Sequence, residues 1–223
     1  REDLGGLDEF NSFVKQAKKE GFKIKADLVL NHLSQEHEWF KKLESGDETK
    51  LEYFVYTDTM PQYKKYNDEK LGTVVEYTQA DGTISKRRLI FPQSVDNHYR
   101  KITINNKDYY LYHTFYPFQL DINWNNPEVL YYELEKISHW ANLGVDIFRL
   151  DAIPYLSKKP GTNAENLPET HAIVRLISNY LQLSAPSSVI QVEACQPPKD
   201  LVEYFGKERE VEVVIDDKPK KIN

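Results

Sequence analysis

The sequence predicts an α/β protein in which parallel strands alternate with helices. Over most of the 223 residues, segments with a helical period of apolar residues alternate with short apolar strands, as in sheets whose strands are joined by helical crossovers. One stretch, 33–117, breaks this alternation because it is polar, rich in Tyr and marked by turn signals. We expect it to form a β-rich subdomain inserted between the segments 1–32 and 118–223.

The first elements are a helix over 8–20 and a strand over 22–30. Asp8 is the expected N-cap, Gly21 ends the helix, and the apolar stripe consists of Phe10, Phe13, Val14 and Ala17. Side chains of a strand point alternately to its two faces. The apolar face of this strand therefore carries Ile24, Ala26 and Leu28, and the opposite face carries Lys23, Lys25 and Asp27.

The stretch 33–117 carries two hairpin signals. Asp81-Gly82 and Asn105-Asn106 each lie between two runs of strand-forming residues, and both dipeptides tolerate the positive φ angles of tight hairpin turns. A structureless loop of this length would be unusual inside a compact domain. We therefore expect this stretch to be folded.

After the insertion, a helix begins at Asn126-Pro127-Glu128, which supplies an N-cap, a proline at the first helical position and an acid in the first turn. Its apolar stripe consists of Leu130, Leu134, Ile137 and Ala141, and Gly144 closes it. The remaining elements are a strand at 145–151, a helix near 168–183, a strand at 188–193, a short helix near 198–205 and a strand at 211–215. This order predicts four strands joined by helical crossovers.

Charged side chains collect where these strands end, namely Asp27, Arg149, Asp151 and Glu193. In a β/α barrel, side chains at the carboxyl ends of the strands form the active site. A lone carboxylate at such a place is more often a helix cap or a salt-bridge partner. Two carboxylates and an arginine on neighbouring strand ends favour a catalytic site instead.

The spacing of parallel strands, ~4.8 Å, lets carboxylates on neighbouring strand ends stand ~5–5.5 Å apart, the separation that retaining glycosidases use. Arg149 is expected to hold Asp151 ionised and oriented for attack on an anomeric carbon. Glu193 must be protonated to act on the leaving oxygen, so we expect burial and nearby negative charge to raise its pKa in the complete protein. Asp151 is thus the predicted nucleophile and Glu193 the predicted acid/base.

Composition excludes some partners. The net charge is -6 without a run of like charges, which argues against nucleic acid. No stretch approaches the ~18 apolar residues of a membrane span.

The single Cys195 and the lack of a signal peptide favour a cytoplasmic location. The 15 Tyr and 3 Trp are compatible with sugar stacking, although ordinary core and interface aromatics are the favoured explanation. The oligomeric state is not predicted.

Four segments resemble conserved regions of the α-amylase superfamily, glycoside hydrolase family 13. They are DLVLNH at 27–32, QLDIN at 119–123, GVDIFRLDA at 144–152 and VIQVEA at 189–194. The resemblance implies a (β/α)8 TIM barrel, here apparently partial, with 33–117 as its inserted subdomain B. It also implies that Asp151 is the nucleophile, Glu193 the general acid/base, and Arg149 the residue that positions the nucleophile.

The same resemblance implies a sugar substrate and residues that bind it. His32 is implied to bind the C6 hydroxyl of the sugar at the cleaved bond, with Asp27 supporting that site and Gln119 as a further substrate-binding residue. For His32 alone, a capping or core histidine is the alternative interpretation. Some members bind calcium through an asparagine at the position of Asn31, but sucrose-acting members generally do not. We therefore expect no cofactor and no structural metal.

Within the superfamily, the segments 113–129, 158–177 and 188–194 resemble amylosucrases and sucrose phosphorylase-like enzymes. This implies α-glucosyl transfer from sucrose or a related α-glucoside through a covalent glucosyl-enzyme intermediate. Two alternatives remain: an α-glucan or oligosaccharide hydrolase of the α-amylase or α-glucosidase type, and a non-catalytic barrel scaffold. The family has a third catalytic carboxylate, and no residue after Glu193 corresponds to it. The sequence also has no counterpart of the first two and the last two strands of the family's barrel. We therefore expect the chain to be part of a longer barrel.

Overall fold

The computed structural model describes residues 5–205, 211–215 and 218–222, with side chains described from 5 to 205. The first elements are α1 (Leu7–Lys19), β1 (Lys25–Val29), β2 (His32–Ser34), α2 (Glu38–Glu44), a 3-10 helix (Glu48–Tyr53) and β3 (Tyr56–Thr57). Next come β4 (Gln62–Asp68), β5 (Gly72–Thr78), β6 (Ile84–Arg88), β7 (Tyr99–Ile104), β8 (Lys107–Tyr112) and β9 (Gln119–Asp121). They are followed by α3 (Pro127–Asn142), β10 (Ile147–Asp151), a 3-10 turn (Ile153–Tyr155), α4 (Pro168–Ser184) and β11 (Val189–Val192). The last are α5 (Pro198–Leu201), a 3-10 turn (Val202–Tyr204), β12 (Val211–Ile215) and β13 (Lys218–Ile222).

The strands β1, β10 and β11 form a parallel sheet in that order. Leu28, Phe148 and Leu150 point to one face, where they are at most 2% exposed and join a core with the helices α3 and α4. Asp27 and Arg149 lie opposite each other in register on the other, more open face. The two-faced strands predicted from the sequence are therefore confirmed, and they form one section of a β/α barrel wall.

Helix α1 begins one residue earlier than predicted, and its N-cap is Gly6 rather than Asp8. Gly6 N–H donates to the side chain of Glu9 at 2.9 Å, so Asp8 lies inside the first turn, where its charge favours the helix dipole. Val14 from the predicted stripe is buried, whereas Phe13 is 56% exposed. Phe13 therefore lies at the exposed border of the predicted apolar stripe, beside the residues of α1 that face the sheet.

Helix α3 begins and ends as predicted. Asn126 Oδ1 accepts a hydrogen bond from Glu128 N–H at 2.9 Å, with Pro127 at the first helical position. Beyond its end, Gly144 has a φ of +96° and donates its N–H to Ala141 O at 3.0 Å. A Cβ at Gly144 would lie 2.8 Å from Val14 Cγ1. Glycine is therefore needed both for the turn and for the contact with α1.

Between β2 and β9 the chain folds into two antiparallel sheets, with strand orders β4-β5-β6 and β3-β8-β7. Both predicted hairpins are confirmed, since Asp81-Gly82 joins β5 to β6 and Asn105-Asn106 joins β7 to β8. Asn105 and Asn106 adopt φ angles of +48° and +63°. Strand β4 was not predicted, because most of its residues are exposed on both faces and no apolar alternation marks it.

The prediction of a fourth parallel strand at 211–215 is wrong. Strand β12 pairs antiparallel with β13, with Val211 opposite Ile222, in a separate two-stranded sheet. Two segments so close in sequence can pair as a hairpin, whereas a parallel pairing requires a long crossover. The predicted short helix near 198–205 is present as α5 and the 3-10 turn that follows it. In the described part of the chain, no helix has the length and apolar character needed to cross a membrane.

Candidate active site

Arg149 connects three carboxylates on the open face of the parallel sheet. Its Nη1 lies 3.0 Å from Asp27 Oδ2 and 3.3 Å from Asp151 Oδ1, and its Nη2 lies 4.0 Å from Glu193 Oε1. The strand register explains this arrangement, because Asp27 is paired with Arg149 and Asp151 follows two residues later on the same face. The guanidinium therefore holds all three acids in one cluster.

The four charged residues lie at two levels of the sheet. Asp151 is the last residue of β10 and Glu193 directly follows β11, as predicted for the strand ends. Asp27 and Arg149 instead lie in the middle of their strands, because β1 and β10 each continue for two more residues. The prediction that all four lie at strand ends is thus wrong for these two, and Arg149 approaches the carboxylates from the level below.

The main chain also contacts Glu193. Ala152 N–H donates to Glu193 Oε2 at 3.4 Å, and Ala152 has a φ of +55°. A non-glycine residue in this left-handed conformation costs about 1–3 kcal/mol. The strained residue comes directly after Asp151 and before the 3-10 turn at Ile153–Tyr155. Strain of this kind is typical of functional sites.

His32 and Gln119 lie together where β2 and β9 pair. His32 Nε2 is 2.9 Å from Gln119 Nε2, and the ring of Phe115 packs edge-on at a centroid distance of 5.4 Å. His32 is 8% exposed. Burial, partly opposed by the charge of Asp121, lowers the pKa of His32 from its usual 6.5. The ring is therefore neutral at pH 7.

A cavity of about 450 Å³ lies along the edge of β1 that has no neighbouring strand among the described residues, where the next strand of a closed barrel would lie. Its lining includes Asp27, Val29, His32, Phe118, Gln119 and Trp140. The three predicted substrate-binding residues therefore share one cavity. Asp151 and Glu193 do not line this cavity, and Arg149 connects them to Asp27 at its border.

A buried lysine next to Asn31 was missed by the sequence analysis. Lys158 Nζ lies 2.5 Å from Asp121 Oδ2 and 2.6 Å from Asn31 Oδ1, and it also donates to the carbonyl of Tyr155. The side chain of Lys158 is 2% exposed and that of Asp121 is fully buried. Asp121 belongs to the QLDIN segment, in which only Gln119 was assigned a role. Lys158 is the first residue of the segment 158–177, but it was assigned no role of its own.

This lysine bears on the calcium ion that the resemblance associates with Asn31. Ca²⁺ takes six to eight oxygen ligands at ~2.3–2.6 Å, and here the oxygens of Asn31, Asp121 and Tyr155 all face the ammonium of Lys158. A calcium ion would have to displace a buried ammonium from its carboxylate partner, so these residues do not fit calcium. Within 5–205, no three His, Cys, Asp or Glu side chains are grouped to hold a metal.

A second contact that the sequence analysis missed joins the inserted sheet to the site. Arg88 on β6 binds both oxygens of Glu165, with Nη2 to Oε2 at 3.0 Å and Nε to Oε1 at 3.3 Å, and Nη2 also lies 3.2 Å from Tyr155 OH. Gln196, three residues after Glu193, donates to Glu165 Oε2 at 3.1 Å. Glu165 therefore connects β6 with the segment that follows Glu193.

Residues 1–218 match the family model described as alpha amylase, catalytic domain. The chain is 34% identical over 205 residues to the trehalose synthase/amylase TreS of Mycobacterium tuberculosis, over 92% of this chain and 30% of that protein. It is 30% identical over 195 residues to the glucosylglycerate phosphorylase of Spirochaeta thermophila, over 87% of this chain and 29% of that protein.

The fold is also found in a solved structure, that of trehalose-6-phosphate hydrolase from Bacillus licheniformis. The TM-score is 0.70 at 24% identity, and the match covers 93% of this chain and 35% of that one. The predicted fold class, a partial (β/α)8 barrel, is confirmed. The chain spans about 30% of the length of the two relatives it matches in sequence.

Proposed function

The chain belongs to the family of α-amylase catalytic domains, and from this membership we propose that the complete protein is a retaining enzyme that transfers or hydrolyses an α-glucosyl unit. The observation that carries the proposal is the cluster in which Arg149 contacts Asp27, Asp151 and Glu193. Asp151 and Glu193 follow equivalent positions of adjacent parallel strands. A scaffold protein has no need of such a cluster, so we favour catalysis.

In the first step, an oxygen of Asp151 attacks the anomeric carbon while the bond from that carbon to the leaving oxygen breaks. Glu193 gives its proton to the leaving oxygen, and a covalent glucosyl-enzyme forms. In the second step, the carboxylate of Glu193 takes a proton from the acceptor hydroxyl, whose oxygen displaces Asp151. Two inversions at the same carbon give retention. Arg149 orients Asp151 in both steps.

We assign the binding of the transferred sugar to His32, Gln119 and Asp27. They line the same cavity, and the polar edge of the His32 ring lies within hydrogen-bonding distance of Gln119. The implied role of His32 is to bind the C6 hydroxyl. Glucose as the transferred sugar rests on this implied role of His32.

The donor is the finer part of the proposal. The segments quoted above resemble sucrose-acting enzymes, whereas the reported relatives carry trehalose or glucosylglycerate in their names. All of these compounds are small α-glucosides. We therefore propose a small α-glucoside as donor, with an α-linked disaccharide of the trehalose type first and sucrose second, in preference to a long glucan.

The test is a product assay with the complete protein. Trehalose, maltose and sucrose are each supplied with and without phosphate, and the anomer of the first-formed product is read by NMR before mutarotation. We expect an α-anomer, and a β-anomer would rule out the retaining mechanism. If the disaccharides are inert while maltooligosaccharides are shortened, the hydrolase alternative replaces the proposed donor. Inactivity on every α-glucoside would favour the scaffold alternative.

A further inference from the structure

Asn31 is fully buried between a cation and an imidazole. Its Oδ1 accepts a hydrogen bond from Lys158 Nζ at 2.6 Å, and its Nδ2 lies 3.4 Å from His32 Nδ1. An ammonium group can only donate hydrogen bonds. Asn31 must therefore turn its oxygen toward Lys158, and its NH₂ group then faces the ring of His32.

The hydrogen bond from Lys158 to the amide oxygen of Asn31 is held in place by the other contacts of Lys158. Its ammonium has three N–H donors, and three oxygens surround it, from Asn31, Asp121 and the carbonyl of Tyr155. Its side chain is 2% exposed, so water does not replace any of these partners readily. Separating a buried ammonium from its carboxylate costs several kcal/mol. The orientation of Asn31 is therefore fixed by the surroundings of Lys158.

The orientation of Asn31 determines which nitrogen of His32 carries the proton. A neutral imidazole has one N–H and one acceptor nitrogen. Because Nδ1 faces the NH₂ group of Asn31, Nδ1 must accept, and the proton must be on Nε2. Burial lowers the pKa of His32, which keeps the ring neutral. The charges near the ring are those of Asp121, Lys158 and Asp151.

This tautomer has a consequence for Gln119. Its amide lies 2.9 Å from His32 Nε2, and an Nε2–H requires an oxygen at that place. The two ends of an amide are interchangeable in outline. A half-turn of the Gln119 amide supplies the oxygen and gives up only a long contact of 3.4 Å from Tyr116 N–H.

We propose that Lys158 and Asn31 are positioning residues that hold His32 in its Nε2–H tautomer, so that the ring donates a hydrogen bond to the oxygen that faces Nε2, which is the Gln119 oxygen or, in its place, the C6 oxygen of the bound sugar. The inference rests on the proposed function for the role of His32 itself. A sugar hydroxyl can either donate or accept a hydrogen bond. Because Lys158 and Asn31 place the proton on Nε2 of His32, the hydroxyl must accept one from the ring. This arrangement selects a substrate whose C6 substituent offers a lone pair to the ring.

The tautomer is tested directly in the complete protein labelled with ¹⁵N-histidine. The His32 signals are identified by their absence in His32→Gln. We expect an Nε2–H ring in the wild type. Asn31→Asp keeps an oxygen for Lys158 but replaces the donor to Nδ1 by an acceptor, so we expect a proton on Nδ1 in that variant, with or without one on Nε2. Lys159→Met, at an exposed side chain paired with Glu169, is the control and should leave the signals unchanged.

A Nδ1–H ring in the wild type, or an unprotonated Nδ1 in Asn31→Asp, would overturn the inference. Lys158→Met is a second variant, in which Asn31 is free to turn and a mixture of tautomers is expected. If that variant does not fold, the comparison of wild type with Asn31→Asp still decides the question.

Substrate analogues separate this inference from the proposed function. Fluorine at C6 can accept but not donate a hydrogen bond, and hydrogen at C6 can do neither. We expect the ratio of kcat/KM for a 6-fluoro over a 6-deoxy α-glucoside to fall about 2- to 10-fold in Asn31→Asp, the range of one neutral hydrogen bond, at a pH where the ¹⁵N signals show Nε2 without a proton. The inductive effect of fluorine is common to both enzymes and cancels.

The two failures differ in this assay. If the wild type processes the α-glucoside and its 6-deoxy analogue equally, His32 does not bind the C6 hydroxyl and the proposed sugar site is wrong. If the wild type distinguishes them and the fluoro-to-deoxy ratio is unchanged in Asn31→Asp at a pH where Nε2 carries no proton, the positioning role alone is wrong.

Discussion

At the scale of single residues, the carboxylate of Asp151 is oriented by one contact, with Arg149, and remains accessible to a ligand. Arg149 Nη1 binds its Oδ1 at 3.3 Å, and the side chain remains 29% exposed on the open face of the sheet. A carboxylate oriented by a guanidinium and accessible to a ligand is suited to nucleophilic attack.

We therefore predict that Asp151→Asn in the complete protein lowers kcat by about 10³-fold or more, because an amide keeps the volume but loses the nucleophilic charge. The melting temperature should stay close to that of the wild type, since Asp151 is partly exposed. Asp108→Asn, at an exposed carboxylate of the β7–β8 hairpin, serves as the control and should retain activity. A variant with a tenth or more of wild-type activity would remove Asp151 from the nucleophile role.

The sequence identified some residues of this site and not others for a physical reason. Asp151 and Arg149 lie two positions apart on one strand, so the period of the strand places them on the same face. Lys158 meets Asn31, which lies 127 residues away in the chain. No local pattern encodes such a contact, and a lysine at a loop position reads as exposed. Only the folded chain reveals that it is buried.

At the scale of elements, local signals determined the helices better than the strands. Helix α3 has an N-cap, a proline and a closing glycine at the predicted residues. Strand β4 escaped prediction because exposure on both faces leaves no alternation to detect. Strand β12 was found as a strand but paired wrongly, because apolar runs do not encode their partner.

Gly144 provides a test at this scale, with Gly21 as its match. Both follow a helix and adopt positive φ angles, +96° and +85°. A Cβ at Gly144 would lie 2.8 Å from Val14 Cγ1, whereas at Gly21 it would meet nothing within 4 Å. We predict that Gly21→Ala lowers the free energy of unfolding by about 1 kcal/mol and that Gly144→Ala lowers it by about 1–3 kcal/mol more.

The measurement is chemical denaturation of the complete protein carrying each substitution. The contact with α1 accounts for the difference between the two variants, because the left-handed backbone is common to both. Equal losses would mean that α1 moves aside without cost and that the packing of α1 against the end of α3 contributes little.

At the scale of the whole molecule, the parallel sheet is only one section of a barrel wall. Its order β1-β10-β11 leaves one side of β1 and one side of β11 without a neighbouring strand among the described residues. Val29 and Val189 are 37% and 58% exposed there. Such edges pair readily with other chains, and closure of the barrel is what removes them.

We therefore predict that the 223-residue chain alone is only marginally stable and self-associates, whereas the complete protein does not. Thermal unfolding of the isolated chain should be broad, and sedimentation should show species larger than the 26.2 kDa monomer. Val189→Lys places a charge on the open strand β11 and should reduce self-association. Val202→Lys, at a position 65% exposed outside the sheet, should not. A sharp cooperative transition in a monodisperse monomer would contradict the prediction, because it would mean that this section of the barrel closes its own core without further strands.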